Sequence, residues 1–193
     1  MKYYQEVTIL PTPEIATNFI WSKIYQQLHI AFAEQMRGKD KGTIGVSFPE
    51  YKKIEKGETL GNKVRVFAAT EKELANLHIR HVLIHYKDYV HITKIRQVPE
   101  KIKKYAIYRR YHEERTKENK ARRFMSRHQI SYEEAVHIFP ETVEDVTYPY
   151  IRLESATNKS RFRLFIAKDD CSELVSKGFG SYGLDTQSSL PEF

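Results

Sequence analysis

His29 is the residue of this 193-residue sequence that is best suited to acid–base chemistry. It follows Leu28 on a predicted amphipathic helix and lies beside the apolar face, where a ring can reach a groove. Taken alone, a histidine in this position is more often partly buried and satisfied by hydrogen bonds. In a protein that binds RNA, an imidazole can instead take a proton from a 2′-hydroxyl or give one to a leaving 5′-oxygen. The interpretation of His29 therefore depends on whether the chain can bind RNA.

The eight histidines also raise the question of a metal site. His78, His81 and His85 would share one face if their segment were helical. That segment is more typical of a strand. Arg80 lies between His78 and His81, and its positive charge would disfavour a metal ion there. Cys171 is the single cysteine, so neither paired cysteines nor an internal disulfide is available. We therefore expect no metal site.

Three glycines near the end of the sequence resemble a cofactor motif. Gly178, Gly180 and Gly183 have the G-x-G-x-x-G spacing of the dinucleotide-binding fingerprint. That fingerprint needs a strand before it, a helix after it and an acidic residue about 20 positions further on. Only ten residues follow Gly183, so no βαβ unit fits there. We therefore predict that the chain binds no cofactor and that these glycines serve another purpose.

The positive charge of the sequence is concentrated in one segment. The net charge of the chain is +7, and the segment from Lys101 to Arg127 contains eleven Lys and Arg against three Glu, a net +8. The rest of the chain therefore carries −1. A concentration of cations is typical of proteins that bind a polyanion, because neutralised phosphates release counterions. A solvated helix face is the alternative interpretation.

The arrangement of the arginines favours nucleic acid over a solvated face. In helical register, Lys120, Arg123 and Arg127 lie along one stripe, and Arg115 and Arg122 lie along the next. Behind these stripes lies an apolar one, made of Ala121, Phe124, Met125 and His128. Arginine planes suit phosphates and guanine edges, whereas a solubilising face would usually be interleaved with acidic residues.

The elements that would position these residues begin with a β-α-β-β-α-β order over residues 1–98. This order is the ferredoxin-like arrangement. The first predicted helix runs from Thr12 to Gly38, and a capping box of Thr70 and Glu73 begins the second. The predicted strands are Lys2–Leu10, Thr43–Pro49, Lys63–Ala69 and one or two within Val82–Ile95.

Residues 99–193 are predicted to form a second region that packs against the first. The basic helix comes first, and a capping box of Ser131 and Glu134 begins a short helix after it. Three predicted strands close the chain: Tyr150–Glu154, Arg161–Ala167 and the stretch around Gly178–Gly183. We therefore predict an α+β fold with a ferredoxin-like N-terminal domain, an arginine-rich helix and a small C-terminal β-rich region.

The composition indicates a protein with no membrane partner. No uncharged apolar run approaches the ~18 residues of a membrane span. The sequence begins with a strand-like stretch instead of a signal peptide, and its single cysteine agrees with a reducing compartment. We expect a cytoplasmic protein that is monomeric when free.

Five segments, in order and spread over nearly the whole chain, resemble the CRISPR-repeat endoribonuclease of subtype I-F systems. The first holds His29, and the third holds most of the arginine stripes. They read QQLHIAFAEQ (26–35), IGVSFP (44–49), RRFMSRHQISYEEA (122–135), FRLFI (162–166) and SYGL (181–184).

The resemblance implies metal-independent cleavage of CRISPR precursor RNA at the base of the repeat stem-loop. In this family the upstream 2′-hydroxyl attacks the adjoining phosphate, which leaves a 2′,3′-cyclic phosphate, and the enzyme stays on its product hairpin with other subunits of the surveillance complex. The matching catalytic residues are His29, Ser155, which holds the attacking ribose, and Tyr182, which orients the histidine. Thr157 matches a nearby hydroxyl residue. The glycines around Tyr182 would let the chain pass closely by the site and present that ring.

The resemblance also implies an RNA-binding region over residues 99–193, with the arginine-rich helix in the major groove of the hairpin. Phe162 matches an aromatic residue that stacks on the base pair closing the stem. Ser126 stands where the family often has a fourth arginine, and His112 stands where a glutamine would pair with Arg110. The predicted RNA-binding residues are Arg110, His112, Arg115, Lys120, Arg122, Arg123, Arg127, Thr157 and Phe162.

Two other functions remain open from the residues alone. One is a non-catalytic RNA-binding subunit that caps a hairpin in such a complex, and the other is a basic DNA- or RNA-binding regulator. The joint presence of His29, Ser155 and Tyr182 favours the enzyme over the capping subunit. The regulator is disfavoured because the sequence has no evident helix-turn-helix or symmetric dimer pattern.

Overall fold

The structure is a computed structural model that describes most of the chain. The described residues are 1–102, 104–111, 117–138, 147–155 and 158–193. Three predicted site residues lie outside them: His112, Arg115 and Thr157. The predictions for two further side chains, those of Lys120 and Arg123, also lie outside what is described.

The fold mixes helices with several antiparallel sheets, and the predicted mixed class is confirmed. The strands are β1 (Tyr3–Ile9), β2 (Gly45–Ser47), β3 (Lys52–Ile54), β4 (Gly57–Thr59), β5 (Lys63–Ala68), β6 (Val90–Ile92), β7 (Arg96–Gln97), β8 (Lys104–Tyr111), β9 (Tyr150–Glu154), β10 (Arg161–Cys171) and β11 (Leu190–Glu192). The helices are α1 (Thr17–Met36), α2 (Glu71–Asn76), α3 (Ile79–Val82), α4 (Lys117–His128) and α5 (Tyr132–Ile138). No helix in the described ranges is both long and apolar enough to cross a membrane.

The first sheet has the strand order β2-β5-β1-β6, and β7 pairs with the other end of β1. Every second residue of β1 from Gln5 to Ile9 is buried, so one face of the strand lies on the core. Helix α1 contributes a buried stripe at helical spacing that includes Ile24, Leu28 and Phe32. This stripe fixes the rotation of α1 about its axis and so determines where His29 points.

The second sheet has the order β11-β8-β10-β9. Its long central strand β10 pairs with both β8 and β9 in antiparallel register. Arg110 lies opposite Ile166, and Phe162 lies opposite Leu153. Helix α1 also packs against β9, so the same helix lies against parts of both sheets.

Contacts between Cα atoms divide the chain into two compact units. The first comprises Met1–Tyr111 and Tyr148–Phe193 and contains both sheets with α1, α2 and α3. The second comprises His112–Thr147 and contains α4 and α5, which pack on each other. The division of the chain into domains 1–98 and 99–193 stays a prediction.

Both predicted capping boxes are present. Glu73 N donates to Thr70 Oγ1 at 3.3 Å, and Thr70 N donates to the Glu73 carboxylate at 3.0 Å. Ser131 and Glu134 form the same reciprocal pair, at 3.2 and 2.9 Å. Each box satisfies backbone N–H groups that the first turn of a helix leaves without a partner, so both helix starts follow from local sequence.

The predicted start of the first helix at Thr12 is wrong, since α1 begins at Thr17. The Thr12 hydroxyl accepts a hydrogen bond from Glu14 N at 3.3 Å, which closes a local turn instead of capping a helix. One of the strands predicted within Val82–Ile95 is present as β6. The expectation that the segment of His78, His81 and His85 is more typical of a strand is wrong, because α3 is followed there by a 3-10 turn, Ile84–Tyr86. Ile79 and Leu83 are both buried and four residues apart, so the core selects a helical period there.

Three further differences concern strands. The charged loop after Pro49 contains an unpredicted hairpin, β3 and β4. The start of the basic segment forms β8, although the sequence predicts it as part of the basic helix. The predicted closing strand at Gly178–Gly183 is a set of turns, and the chain closes instead with β11. The glycines of the Gly178–Gly183 stretch explain why it turns, since Gly178 and Gly183 have φ of +82° and +69°, outside the range of a strand.

Candidate active site

The His29 ring is held by one hydrogen bond to the main chain. Its Nδ1 lies 2.8 Å from the carbonyl oxygen of Ser181, in the loop that precedes β11. A carbonyl oxygen can only accept, so Nδ1 carries the hydrogen and Nε2 keeps the lone pair of the neutral ring. Nε2 makes no hydrogen bond with any described residue. His29 thus offers Nε2 for proton transfer.

The Tyr182 ring stacks on His29. The two ring centroids are 4.0 Å apart, and the planes differ by 13°. The main chain of Tyr182 is fixed in turn, because its carbonyl oxygen accepts a hydrogen bond from the buried Tyr25 hydroxyl at 2.9 Å. Tyr25 lies one turn before His29 on α1, so the helix that carries the histidine also anchors the residue stacked on it.

Burial sets the protonation of both rings. Desolvation lowers the pKa of His29 below its usual 6.5, although the hydrogen bond to Ser181 favours the charged form. Desolvation raises the pKa of Tyr182 above its usual 10, and the positive charge of Arg110 only partly offsets this. At neutral pH the site therefore presents a largely neutral imidazole beside a neutral phenol.

The loop that carries Ser181 and Tyr182 lies close against β2. Val46 N donates to Gly183 O at 2.9 Å, and a Cβ at Gly183 would lie 2.8 Å from Val46 Cγ1. Gly183 N donates to Gly180 O at 2.8 Å, which closes the turn around Tyr182. Glycine is needed at Gly183 for its positive φ and for this close approach.

Asp185 secures the far end of the same loop. Its buried carboxylate accepts hydrogen bonds from the backbone N–H groups of Gln187 and Ser188, at 3.0 and 2.9 Å. It also pairs with Lys41. Burial alone would raise the pKa of Asp185, but the Lys41 ammonium and the two backbone donors lower it overall. The loop is therefore fixed at this end by Asp185 and at its other end by the backbone pair of Gly42 and Phe179, in which each N–H donates to the other's carbonyl oxygen, at 2.7 and 2.9 Å.

The Arg110 side chain lies beside the rings of Phe162 and Tyr182. The Arg110 guanidinium carbon is 5.4 Å from the Phe162 ring centroid and 5.6 Å from that of Tyr182. Phe162 and Tyr182 meet edge to face, with centroids 6.4 Å apart. Arg110 and Phe162 lie on neighbouring strands β8 and β10, so the second sheet supplies this side of the site. A guanidinium over aromatic faces suits nucleobases and phosphates.

Ser155 lies at the end of β9 and makes no hydrogen bond to His29. Its Oγ accepts from Asn158 N at 3.5 Å, and its main-chain N donates to Ser160 O at 2.9 Å. The end of β9 is fastened to α1, because Glu154 N donates to Gln26 Oε1 at 2.9 Å. Gln26 lies one turn before His29 on α1. The hydrogen bond between Glu154 and Gln26 therefore holds the chain next to Ser155 against the helix that carries His29.

The predicted RNA-binding helix is α4, in the second unit. The side chains of Arg122 and Arg127 are exposed, whereas Ala121 is buried, and α4 packs on α5. The Phe124 and His128 rings stack with centroids 4.1 Å apart. Within this unit, α4 therefore separates an apolar side from a side that carries exposed arginines.

Two contributors to the site were not predicted from the sequence: Ser181, through its carbonyl oxygen, and Tyr25, through its hydroxyl. A main-chain contact across 152 positions has no signature in the sequence. Tyr25 could have been noticed, since it lies four residues before His29 on the same predicted helix. In the described parts of the chain, no group of three His, Cys, Asp or Glu side chains could hold a metal ion, and this includes the group of His78, His81 and His85.

Comparisons with known proteins cover the whole chain. A family model described as CRISPR-associated protein (Cas_Csy4) matches residues 4–193. Two curated relatives named CRISPR-associated endonuclease Cas6/Csy4 align over the full length of both chains. The relative from Pseudomonas aeruginosa (strain UCBPP-PA14) is 31% identical, and the one from Escherichia coli (strain UTI89 / UPEC) is 26% identical.

A solved structure described as an RAMP protein binding different RNA substrates has a TM-score of 0.33 and 12% identity, and the match covers 98% of this chain and 100% of that one. The predicted family and the predicted nuclease class are confirmed by the family model and the two curated relatives. The chain belongs to the Cas_Csy4 family of CRISPR-associated proteins.

Proposed function

We propose that this protein cleaves CRISPR precursor RNA at the base of the repeat stem-loop by 2′-hydroxyl attack. The observation that carries the proposal is the state of His29, whose Nδ1 is bound to a carbonyl and whose Nε2 is available. Family membership supports the reaction class, because the two curated relatives are named endonucleases. The reaction needs no group beyond the RNA and the side chains of this chain.

The chemistry follows from a neutral Nε2 next to the scissile phosphate. The imidazole takes the proton of the upstream 2′-hydroxyl as the 2′-oxygen forms its bond to phosphorus. The bond from phosphorus to the 5′-oxygen breaks, and that oxygen takes a proton from water while the imidazolium returns its own proton to water. The products are a 2′,3′-cyclic phosphate on the hairpin and a 5′-hydroxyl on the downstream RNA. The lowered pKa of His29 supports the role of base in the first step.

Ser155 and Tyr182 complete the proposed catalytic set. The Ser155 hydroxyl, beside the groove along α1, would hold the attacking ribose, and Thr157 would add a second hydroxyl near it. Tyr182 is a positioning residue, since its ring stacks on His29. Stacking of Phe162 on the base pair that closes the stem would bring the scissile phosphate to His29, and Arg110 would read the adjacent base with His112.

The proposed fold of the N-terminal part is ferredoxin-like. The strand order β2-β5-β1-β6 and the helices after β1 and β5 support it, because a β-α-β-β-α-β chain in an antiparallel sheet gives this order. The helix α4 would enter the major groove at the end of the stem, where a short RNA helix is open. The proposed contacts of the basic segment that contains α4 are Arg115, Lys120, Arg122, Arg123 and Arg127.

After cleavage we expect the protein to stay on its product hairpin, as one subunit of a guide-RNA complex in the cytoplasm. The free protein would be a monomer. Retention of product is a matter of binding energy and not of chemistry, because the hairpin side of the cut keeps every proposed contact with α4 and Phe162.

The decisive experiment incubates the purified protein with the repeat RNA in chelator and repeats the reaction with a 2′-deoxy nucleotide upstream of the scissile phosphate. We expect the all-ribose RNA to be cut to a 2′,3′-cyclic phosphate and the deoxy RNA to be bound but left intact. Normal cutting of the deoxy RNA would assign the attack to water or to a protein group. Tight binding without cutting of either RNA would favour the hairpin-capping subunit.

A further inference from the structure

A groove of about 520 Å³ follows the outer face of α1. One wall is α1 from Phe19 to Ile30, a length of about 16 Å at the helical rise. The other wall is the end of β9 together with Ser155, Lys159 and Arg161. The groove therefore adjoins a residue of the proposed catalytic set.

The walls of this groove are positively charged. Lys23 on α1 and Arg152, Lys159 and Arg161 on the opposite wall line it, against one acidic residue, Glu154. None of the four cations forms an ion pair with a residue that the structure describes. An excess of cations along a groove raises the local concentration of a polyanion.

The groove also offers an exposed aromatic ring. Phe19 is 56% exposed although it lies on a helix with a well-buried opposite face. Lys23 Nζ lies 5.2 Å from the Phe19 ring centroid, so a base stacked on this ring would have its phosphate near an ammonium group. Ile30 is 39% exposed at the other end of the same helix face. Aromatic rings interleaved with cations along a groove are typical of sites for single-stranded nucleic acid.

We infer that this groove binds the single-stranded RNA that continues downstream of the scissile phosphate. The inference rests on the proposed function, in which the cut lies at the base of the stem beside Ser155. The first nucleotide after the scissile phosphate is then unpaired, and its strand continues from the point where the groove begins. The other single strand leaves the stem across the width of the duplex. Four cations and one acid also suit RNA better than an apolar peptide.

The test compares three RNAs that carry a 2′-deoxy nucleotide at the attacking position, so that binding is measured without cutting. One is the hairpin ending just after the scissile phosphate, one adds a short unpaired extension downstream, and one adds the same extension upstream. We expect only the downstream extension to raise affinity. Each phosphate bound by the groove should also steepen the salt dependence by roughly 0.7.

Two substitutions localise the effect to the groove. Phe19→Ala should weaken binding of the downstream-extended RNA at least about fivefold, the lower end for loss of one base–aromatic stack, and leave the bare hairpin unchanged. Lys23→Ala should shallow the salt dependence of the extended RNA only. Matched controls are Ile54→Ala, at an apolar residue that is 49% exposed, and Lys94→Ala, at an exposed lysine outside the groove.

Three results would overturn the inference: no gain from the downstream extension, an equal gain from the upstream one, or an equal loss in Phe19→Ala on the bare hairpin. These results are distinguishable from failure of the proposed function. A protein that binds and cuts the hairpin but ignores the extension lacks only the groove site. A protein that does not bind the hairpin at all lacks both the groove site and the proposed function.

Discussion

The hydrogen bond from His29 to the Ser181 carbonyl leaves Nε2 as the nitrogen of the ring that can act on RNA. His29→Ala removes this group without touching the core, because the ring is only half-buried. We expect single-turnover cleavage to fall by about 10²–10⁴, the usual loss for a general acid or base, with hairpin affinity nearly unchanged. His91→Ala, at an exposed histidine of β6, is the control and should cut normally.

An equal loss of binding and cleavage in His29→Ala would contradict a catalytic role. In that case the histidine would be a structural residue whose hydrogen bond holds the loop from Gly178 to Asp185 in place. Thermal unfolding separates the two explanations, since a structural histidine would also lower the melting temperature. For a catalytic histidine, we expect the free energy of unfolding to fall only by the contribution of one half-buried hydrogen bond, about 0.5–1.5 kcal/mol.

The stacked Tyr182 ring should act on cleavage through the pKa of His29. Burial lowers that pKa, so a base at His29 works in its neutral form and the rate should fall only as pH drops below 6.5. Tyr182→Ala admits water and weakens the desolvation, so the pKa rises and the acidic limb of the rate profile moves to higher pH. Tyr182→Phe keeps the stack and should keep the profile. A Phe variant as slow as the Ala variant would assign the effect to the hydroxyl instead.

At the scale of elements, the turn around Tyr182 needs a glycine at Gly183. Gly183→Ala forces a Cβ to 2.8 Å from the buried Val46 at a φ of +69°, so it should destabilise the protein by about 1–3 kcal/mol and slow cleavage. Gly180→Ala is the matched control, because its Cβ would approach nothing closer than 3.4 Å. Urea unfolding and single-turnover cleavage measure the two effects. Similar behaviour of both variants would mean that the loop adapts.

The arginines of α4 should determine the salt dependence of hairpin binding. Arg122 and Arg127 are exposed on α4, so Arg122→Ala and Arg127→Ala should leave the fold intact. Each lost phosphate contact should shallow the slope of log K against log salt by roughly 0.7–0.9. Arg96→Ala, at an exposed arginine of β7, is the control. Unchanged slopes in both α4 variants would indicate a solvated helix face.

Elements whose cause is local could be predicted from the sequence. The capping boxes at Thr70 and Ser131 and the strand Tyr150–Glu154 appear where local patterns place them. Elements whose conformation depends on packing in the core could not be predicted from the sequence. The helical turns after His78 are an example, because the burial of Ile79 and Leu83 determines them. Of the candidate site, residue types on α1 and in the glycine loop could be proposed, whereas the Ser181 carbonyl could not, because every residue has one.

At the scale of the whole molecule, side chains from both sheets share one core. The Tyr108 hydroxyl on β8 donates to Phe48 O at 3.2 Å, and the two rings lie 5.6 Å apart. Gln26 on α1 accepts from Glu154 N at the end of β9. The buried cluster accordingly includes residues of the first sheet, of α1 and of the second sheet. The candidate site lies where these elements meet, so its geometry depends on both sheets.

This shared core predicts cooperative unfolding of residues 1–111 with 148–193, and Trp21, the single tryptophan, can report it from α1. Leu164→Ala in β10 empties a fully buried position and should cost about 2–5 kcal/mol. If the core is one unit, Trp21 fluorescence and far-ultraviolet circular dichroism should shift to lower urea together, because α1 loses its support when the second sheet unfolds. Leu174→Ala, at a leucine that is 45% exposed, should shift neither signal. A Trp21 transition that stays in place while the dichroism transition moves would show instead that residues 1–98 and 99–193 unfold as separate domains.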